Sequence, residues 1–310
     1  MVDQLLAPSA ASSPAAKVKC PYCLSGSKFY LRASDVNRSV SDDKWDLYRC
    51  TGCGLFFNPK PPRDLSTFYT SDYHPAVNGA GELRDPLNLY AYRVQIVQRF
   101  KDAGSLMDIG ASSGVFAGHA KRAGFDVSAI EMDADSVRTL NEHVGVRAIQ
   151  SANPAEVLTR EERKYDVITL WHSIEHMPNP WAVLDTSMLH LAPGGILVLA
   201  TPNPLALQAR IMRGLWPHFD LPRHLYLFPI DWMRAYASNR ALKVEMLTTR
   251  DRTSYFLGVG SWRATMTRSV NGKAVKLPAS LLGLGVGAIA SLFESREGYG
   301  AAYTAVFRRT

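Results

Sequence analysis

Outside two short pairs, this 310-residue chain has no cysteine. The opening stretch MVDQLLAPSAASSPAAKVK has no long apolar run behind a basic start, so a secretory signal is not expected. Its Ala, Ser and Pro content reads as a disordered leader over 1–18. Without a secretion signal, stable disulfides are not expected either, and a cytoplasmic location follows. Extremes of composition are also missing: 46% of residues are hydrophobic and 20% charged, as in an ordinary soluble protein. The length suits one large α/β domain with a small module.

What is present is a positive balance, formally +7. It is concentrated from Leu205 to Lys276, where twelve Lys/Arg face four Asp/Glu. That stretch is either a solvated basic face or the complement of an anionic partner. One segment, Leu277–Phe293 (LPASLLGLGVGAIASLF), has no charge. It lies at the short limit for a membrane span, and three glycines weaken it as a helix.

The four cysteines form Cys20-Pro-Tyr-Cys23 and Cys50-Thr-Gly-Cys53. Two C-x-x-C turns offer four thiolates to one tetrahedral zinc, with no coordination position left for chemistry. The expectation is a structural zinc ribbon over 19–62, in which Trp45, Leu47 and Tyr48 lead a strand into the second turn. Asn58-Pro-Lys-Pro-Pro62 reads as a stiff exit.

From Ser105 onward short apolar runs alternate with helical segments. Strands are expected at 105–109, 126–131, 146–149, 165–170, 196–200 and 241–247. A helix is expected over Trp181–Leu191, stopped by Pro193-Gly-Gly195. This alternation predicts a doubly wound Rossmann-like α/β sheet of about seven strands, closed by an antiparallel strand at 301–309. Ligands in such sheets sit beyond the carboxyl ends of the strands. Asp108-x-Gly110-x-Ser112-x-Gly114 falls at one such end and Glu131 at the next. The dinucleotide fingerprint G-x-G-x-x-G is absent, since Ser112 and Val115 occupy its second and third glycine positions. Asp108 would repel a pyrophosphate but attract a cationic methionine group, and a carboxylate at 131 can accept from two ribose hydroxyls. The pair suits S-adenosylmethionine (SAM).

The runs LMDIGASSGVFAGHAKRAGFDVSAIEMD, YDVITLWHSIEHMPNPWAVL and LAPGGILVLATPN resemble, in order and spacing, the motifs of class I SAM-dependent methyltransferases. The resemblance covers about 85–250. The run from Cys50 to Pro62 and the Pro-Arg-His-Leu of 222–225 also resemble a bacterial subgroup with an N-terminal four-cysteine ribbon. Ser112 stands where the family more often has Gly or Cys. The resemblance implies that Asp108, Gly110, Ser112 and Gly114 cradle the methionine part, Glu131 the ribose and Asn153 the adenine. Trp171 and His172 then line the mouth where cofactor and acceptor meet. It also implies a methyltransferase domain over 63–310, with a helical insertion near 255–298.

WHSIEH (171–176) contains the H-x-x-E-H spacing of inverzincin hydrolases. It follows a strand directly, and Pro178 and Pro180 forbid a long helix through it. A strand end with a short turn is expected instead of a zinc site. Methyl transfer to a hydroxyl or carbon acid needs a base, and His224 and His172 are the candidates. Arg223 could hold an anionic acceptor, with Tyr226 beside it. Such an acceptor would be a small or carrier-linked metabolite, such as a sugar, glycan or lipid-linked intermediate. The alternative is an RNA methyltransferase gripping phosphate through the ribbon and the basic surface. Against nucleic acid, Lys28, Arg32, Arg38, Lys44 and Arg49 in the ribbon face Asp35, Asp42, Asp43 and Asp46. If the last strand lies in the sheet, Leu277–Phe293 cannot span a membrane. It would pack as an inserted helix, form a lid, or touch a bilayer surface. The oligomeric state is left open.

Overall fold

The computed structural model describes residues 18–70, 85, 87–268, 270 and 272–309, without the side chains of 273 and 274. Nearly all of the leader expected over 1–18 lies outside these residues.

The N-terminal module is β1 (Ser27–Ser34), β2 (Lys44–Cys50) and β3 (Phe56–Phe57). The main unit begins with α1 (Leu89–Gln98), β4 (Gly104–Ile109), α2 (Val115–Arg122), β5 (Phe125–Glu131) and α3 (Ala134–Thr139). It continues through β6 (Arg147–Gln150), α4 (Pro154–Arg160), β7 (Tyr165–Trp171), α5 (Pro180–Leu189) and β8 (Leu191–Pro202). The last third holds α6 (Leu207–Met212), β9 (Tyr226–Leu227), α7 (Ile230–Ser238), β10 (Lys243–Thr248), α8 (Arg252–Thr267), α9 (Lys273–Glu294) and β11 (Ala302–Arg308).

The large sheet has seven strands in the order β10-β11-β8-β7-β4-β5-β6. Strands β8, β7, β4, β5 and β6 run parallel, and β11 runs antiparallel to both neighbours, as the doubly wound reading requires. Local chemistry sets the boundaries. The Asp133 carboxylate accepts from Ser136 N at 2.8 Å and starts α3. Gly145, left-handed at φ 68°, stops the π-helical turn after it. Proline opens α4 and α5, where a missing N–H costs nothing.

One expected boundary differs. Pro193-Gly-Gly195 does not end a helix; α5 has already stopped at Leu189, and these residues bulge within β8. Tyr165 pairs with Leu191 and Val167 with Ile196, so the turn-forming residues are looped out between two anchored pairs. Leu191 is fully buried, and that burial favours strand pairing over another helical turn.

The module does not stand apart. Its small antiparallel sheet runs β1-β2-β3-β9, and its last strand comes from beyond the fifth parallel strand of the main unit. Cys20, Cys50, Leu55 and Phe57 share one apolar cluster with Met107, Ile109, Ile168 and Phe228. Chain order separates the two units near Pro62, but their apolar packing is continuous.

Candidate cofactor and acceptor site

The carboxyl ends of β4, β5 and β7 lie side by side, and the segments that follow them form the site. Asp108 is fully buried, and its Oδ1 accepts from Thr169 Oγ1 of the neighbouring strand at 2.7 Å. Burial pushes its carboxyl up to about 7, against the pull of Thr169 and of the Arg93 charge. The loop after β4 turns through three left-handed residues, Gly110 (φ 77°), Ser112 (φ 50°) and Gly114 (φ 82°). Gly110 is also required sterically, because a Cβ there would meet the Ser173 Cβ at 2.5 Å. Glu131 ends β5 and is pinned by three amides: Ser112 N at 2.7 Å, Met132 N at 2.7 Å and Asp133 N at 3.1 Å. Its Oε2 carries only one of these bonds, leaving capacity for a hydroxyl.

Strand β7 delivers Trp171 and His172. The Trp171 ring lies 5.3 Å from Phe116 and 5.1 Å from the Arg93 guanidinium, which α1 brings across. His172 is left-handed at φ 54°, a strained geometry for a non-glycine residue at a strand end. Its Nδ1 stands 3.7 Å from Glu175 Oε1. Four buried polar atoms gather here without a hydrogen-bond partner among the described residues: Arg93 Nε, Trp171 Nε1, His172 Nε2 and Glu175 Oε1. Buried polar atoms are seldom left unpaired, so a group of them at a strand-end crevice has the character of a ligand site.

The 171–176 segment forms a strand end followed by a 3-10 turn at Ile174–His176, so no helix carries His172 and His176 as a metal pair. A different group forms. Glu175, His176 and His224 hold donor atoms within 4.8 Å of one another. Burial alone would raise Glu175, but His172, His224 and His176 around it hold it down to about 2. Burial, then the neighbouring His176, hold His224 down to about 4. The imidazole is therefore neutral at pH 7, with Nδ1 donating to the His218 carbonyl at 3.0 Å.

The expected acceptor residues fare unequally. Arg223 is fully buried, with its fork divided between Asp35 and Asp220 and an N–H on the Phe68 carbonyl. It has no donor to spare for an acceptor; it ties the ribbon to the loop after α6. Tyr226 is in β9, donates to the Pro178 carbonyl at 3.2 Å and packs on Trp181, which in turn touches Tyr22 of the ribbon. Its place is the docking seam between the units. Asn153 is an exposed residue just before α4, 3.4 Å from Glu156 through its amide. Asp108, Gly110, Ser112, Gly114, Glu131, Trp171 and His172 are brought together, whereas His224 sits deeper, against Glu175. Sequence reasoning passed over Arg93 and Glu175 as a charge, whereas the pairing of Arg223 with Asp220, its alternative to an acceptor role, is the one found. For Arg93 the available signal was one cation inside the aromatic and aliphatic run LYAYRVQIV.

The cysteines meet the demands of zinc. All four are free thiols; Cys20 and Cys53 Sγ are 3.7 Å apart, Cys23 and Cys50 Sγ 3.4 Å. Four thiolates at 2.3 Å from one tetrahedral ion lie about 3.8 Å apart. Cys50 Sγ accepts from the amides of Gly52 and Cys53, both at 3.3 Å, as the sulfur of a knuckle turn does. A separate depression of about 720 Å³ is lined by Asp185, Arg240 and Arg309. Arg240 Nε is on Asp185 Oδ1 at 2.6 Å and Arg309 Nη1 on the Leu191 carbonyl at 2.8 Å.

Comparison with known proteins places this geometry. Residues 81–246 match the family described as "Methyltransferase domain". Over 104 residues the chain is 30% identical to the ubiquinone biosynthesis O-methyltransferase of Psychrobacter cryohalolentis, covering 32% of this chain and 40% of the relative. Over 132 residues it is 27% identical to the enzyme of the same name from Caulobacter sp. strain K31, covering 38% and 52%. The chain thus spans about half the length, or less, of these curated relatives. A SAM-dependent methyltransferase structure from Archaeoglobus fulgidus shares the fold at a TM-score of 0.50 and 14% identity, covering 73% of this chain and 95% of that one.

Proposed function

The chain belongs to the methyltransferase-domain family, and from that premise we propose that it transfers a methyl group from SAM to a small or carrier-linked metabolite, with oxygen as the acceptor atom. The observation that carries this reading is the convergence of Asp108, the Gly110–Gly114 turn, Glu131 and four unpaired buried polar atoms at adjoining strand ends. Oxygen follows from the names of the relatives, both O-methyltransferases.

SAM supplies an electrophilic methyl on a sulfonium, a leaving group that needs no protonation. The rest falls to this chain. Asp108, as a carboxylate, would hold the amino group of bound SAM, and Glu131 would accept from its ribose. The ring of Trp171 and the Arg93 above it wall the mouth and keep water out. His172 takes the acceptor proton at Nε2, the nitrogen with no other partner. Glu175 is a positioning residue, facing Nδ1 from 3.7 Å and stabilising the imidazolium that forms. His224 is the poorer base, since at about 4 it holds a proton weakly. We take 19–62 as a zinc ribbon of the four-cysteine subgroup and 63–310 as the methyltransferase unit with its helical insertion. The four cysteine thiolates would close the coordination of a zinc and leave it no position for chemistry. Nothing favours the RNA reading: in the ribbon Arg32 is paired with Asp46 and Asp35 with Arg223.

The test is calorimetric titration of S-adenosylhomocysteine into the zinc-loaded protein and into Glu131→Ala. Micromolar binding, weakened by ~1–3 kcal/mol in the variant, supports the assignment. Absence of binding to folded wild-type protein overturns it.

A further inference from the structure

Helices α8 and α9 form a hairpin, and none of the described residues covers its outer side. Residues Val275–Glu294 have a mean hydropathy of 1.6, yet only 11% of the window is buried. Leu277, Leu281, Leu282, Ile289, Leu292 and Phe293 are each 53–72% exposed. At 3.6 residues per turn they share one side of α9, and the residues among them, Pro278, Gly285 and Ala288, are also apolar. The other side is closed by backbone contact: a Cβ on Gly283 would meet Arg263 Cα at 2.7 Å, and one on Gly287 would meet Val259 Cα at 3.0 Å. The segment is the inserted helix that the sequence allows, but it is packed on one side only. Its glycines pack on α8 and its leucines face outward.

The hairpin does not cross a membrane in this fold. β10 enters it and β11 leaves it, and those strands are paired neighbours in one sheet. It is also held in place. Glu294, buried at its base, accepts from Gln208 Nε2 and from Trp262 Nε1 at 2.9 Å.

Charge identifies what covers the face. From Arg252 to Arg296 the chain has six Lys/Arg and one Asp/Glu, and that acid is the buried Glu294. Arg252, Arg263, Arg268, Lys276 and Arg296 are exposed. A second copy would fit poorly, because a two-fold pairing sets the same patch against itself and brings like charges together. Just past the hairpin the exposed Glu297 is taken up by Thr248 and Thr249, so the exposed charges of the hairpin itself are cationic. An apolar stripe in that setting is complementary to the acyl chains and headgroups of an anionic bilayer.

We propose that the α8–α9 hairpin is an in-plane membrane anchor that seats this protein on anionic bilayer surfaces. The leucine face enters the acyl boundary, and the surrounding Arg and Lys side chains meet lipid phosphates. The hairpin also meets the loop that follows α6, where the Leu257 carbonyl of α8 is 3.5 Å from His218 Nε2.

The test is flotation of the full zinc-loaded chain with vesicles of phosphatidylcholine alone or mixed 7:3 with phosphatidylglycerol. The variants are Leu281→Glu/Ile289→Glu/Leu292→Glu and Lys276→Glu/Arg268→Glu. All five positions are exposed, so folding is checked simply by melting temperature and S-adenosylhomocysteine binding. The proposal expects binding to the mixed vesicles at least tenfold above that to phosphatidylcholine alone, and a tenfold or greater loss in each variant. Equal binding to both vesicle types overturns the anionic assignment. No flotation, with a dimer in solution that the leucine variant abolishes, overturns the anchor and assigns the face to a second copy.

Discussion

Asp35 and Arg223, 188 residues apart, form an ion pair with neither side chain open to solvent. Arg223 Nη1 donates to Asp35 Oδ2 at 3.1 Å, and Nη2 donates both to Asp35 Oδ1 and to Asp220. The ribbon is thereby joined to the loop that carries His224. Removing Arg223 leaves two buried carboxylates without their cation, which costs roughly 3–5 kcal/mol. Arg223→Ala should lower the unfolding free energy by about that amount and Asp35→Ala by less, because Asp220 still pairs with Arg223. The double variant should cost less than their sum. Values within a few tenths of a kcal/mol of wild type would show that the pair is not buried in solution.

The same region sets the acid limit of the fold. Burial by itself would raise Asp220, but the charges of His224 and Arg223 hold it down to about 2, and Glu175 is likewise held to about 2. Carboxyls depressed in the folded state add stability above their unfolded values, near 4, and that stability is lost as pH falls toward 2. Thermal melts should change little from this source above about pH 5 and decline steeply between about pH 4 and 2. Asp220→Asn should be less stable at pH 7 but have a shallower acid decline. An unchanged slope would remove Asp220 from this role.

Much of this molecule was legible because its signals are local. Near-continuous apolar runs such as LMDI and YDVITL have one good fate, a strand buried on both faces, and the glycine turn and Glu131 sit where such strands end. The bulge at Pro193–Gly195 was misread because proline and glycine signal a stop but not which element stops. Arg223 and Tyr226 were assigned to the acceptor on residue type. Asp220, a partner of Arg223, is three residues away, but Asp35 and Pro178 are distant in sequence and set by tertiary packing. Arg93 was missed because its role depends on α1 crossing over Trp171, a contact no spacing reveals.

Zinc removal should be felt throughout the chain. Cys20 and Cys50 are buried in the cluster that includes Met107 and Ile168 of the large sheet, so their turns cannot loosen independently. Metal analysis should give one zinc per chain. A chelator strong enough to remove it should lower the main melting transition rather than create a small separate one, and Cys50→Ser should do the same without chelator. A zinc-free protein with an unshifted main transition would make the ribbon an appendage.

With a methylation assay in hand, His172→Ala should lower kcat/KM by roughly 10²–10⁴ while leaving S-adenosylhomocysteine affinity unchanged. Glu175→Gln should lower kcat less and alter the pH–rate profile, because it acts only through the imidazole it faces at 3.7 Å. Retained turnover in His172→Ala, together with loss in His224→Ala, would transfer the base to the deeper histidine.

Cofactor affinity should depend on pH through Asp108. Its carboxyl, raised by burial to about 7, is half protonated near neutrality in the ligand-free protein. A cationic amino group is attracted only to the carboxylate, so binding below that value must first expel a proton. S-adenosylhomocysteine affinity should thus fall about tenfold per unit as pH drops from 7 to 5, with proton release on binding visible as a buffer-dependent enthalpy. The ligand-free stability has the opposite sign: a carboxyl raised in the folded state costs stability as pH climbs from its unfolded value, near 4, to about 7. Asp108→Asn should weaken binding at pH 8, flatten its pH dependence and remove that loss of stability. Affinity independent of pH in the wild-type protein would mean that Asp108 is already ionised or does not meet the amino group.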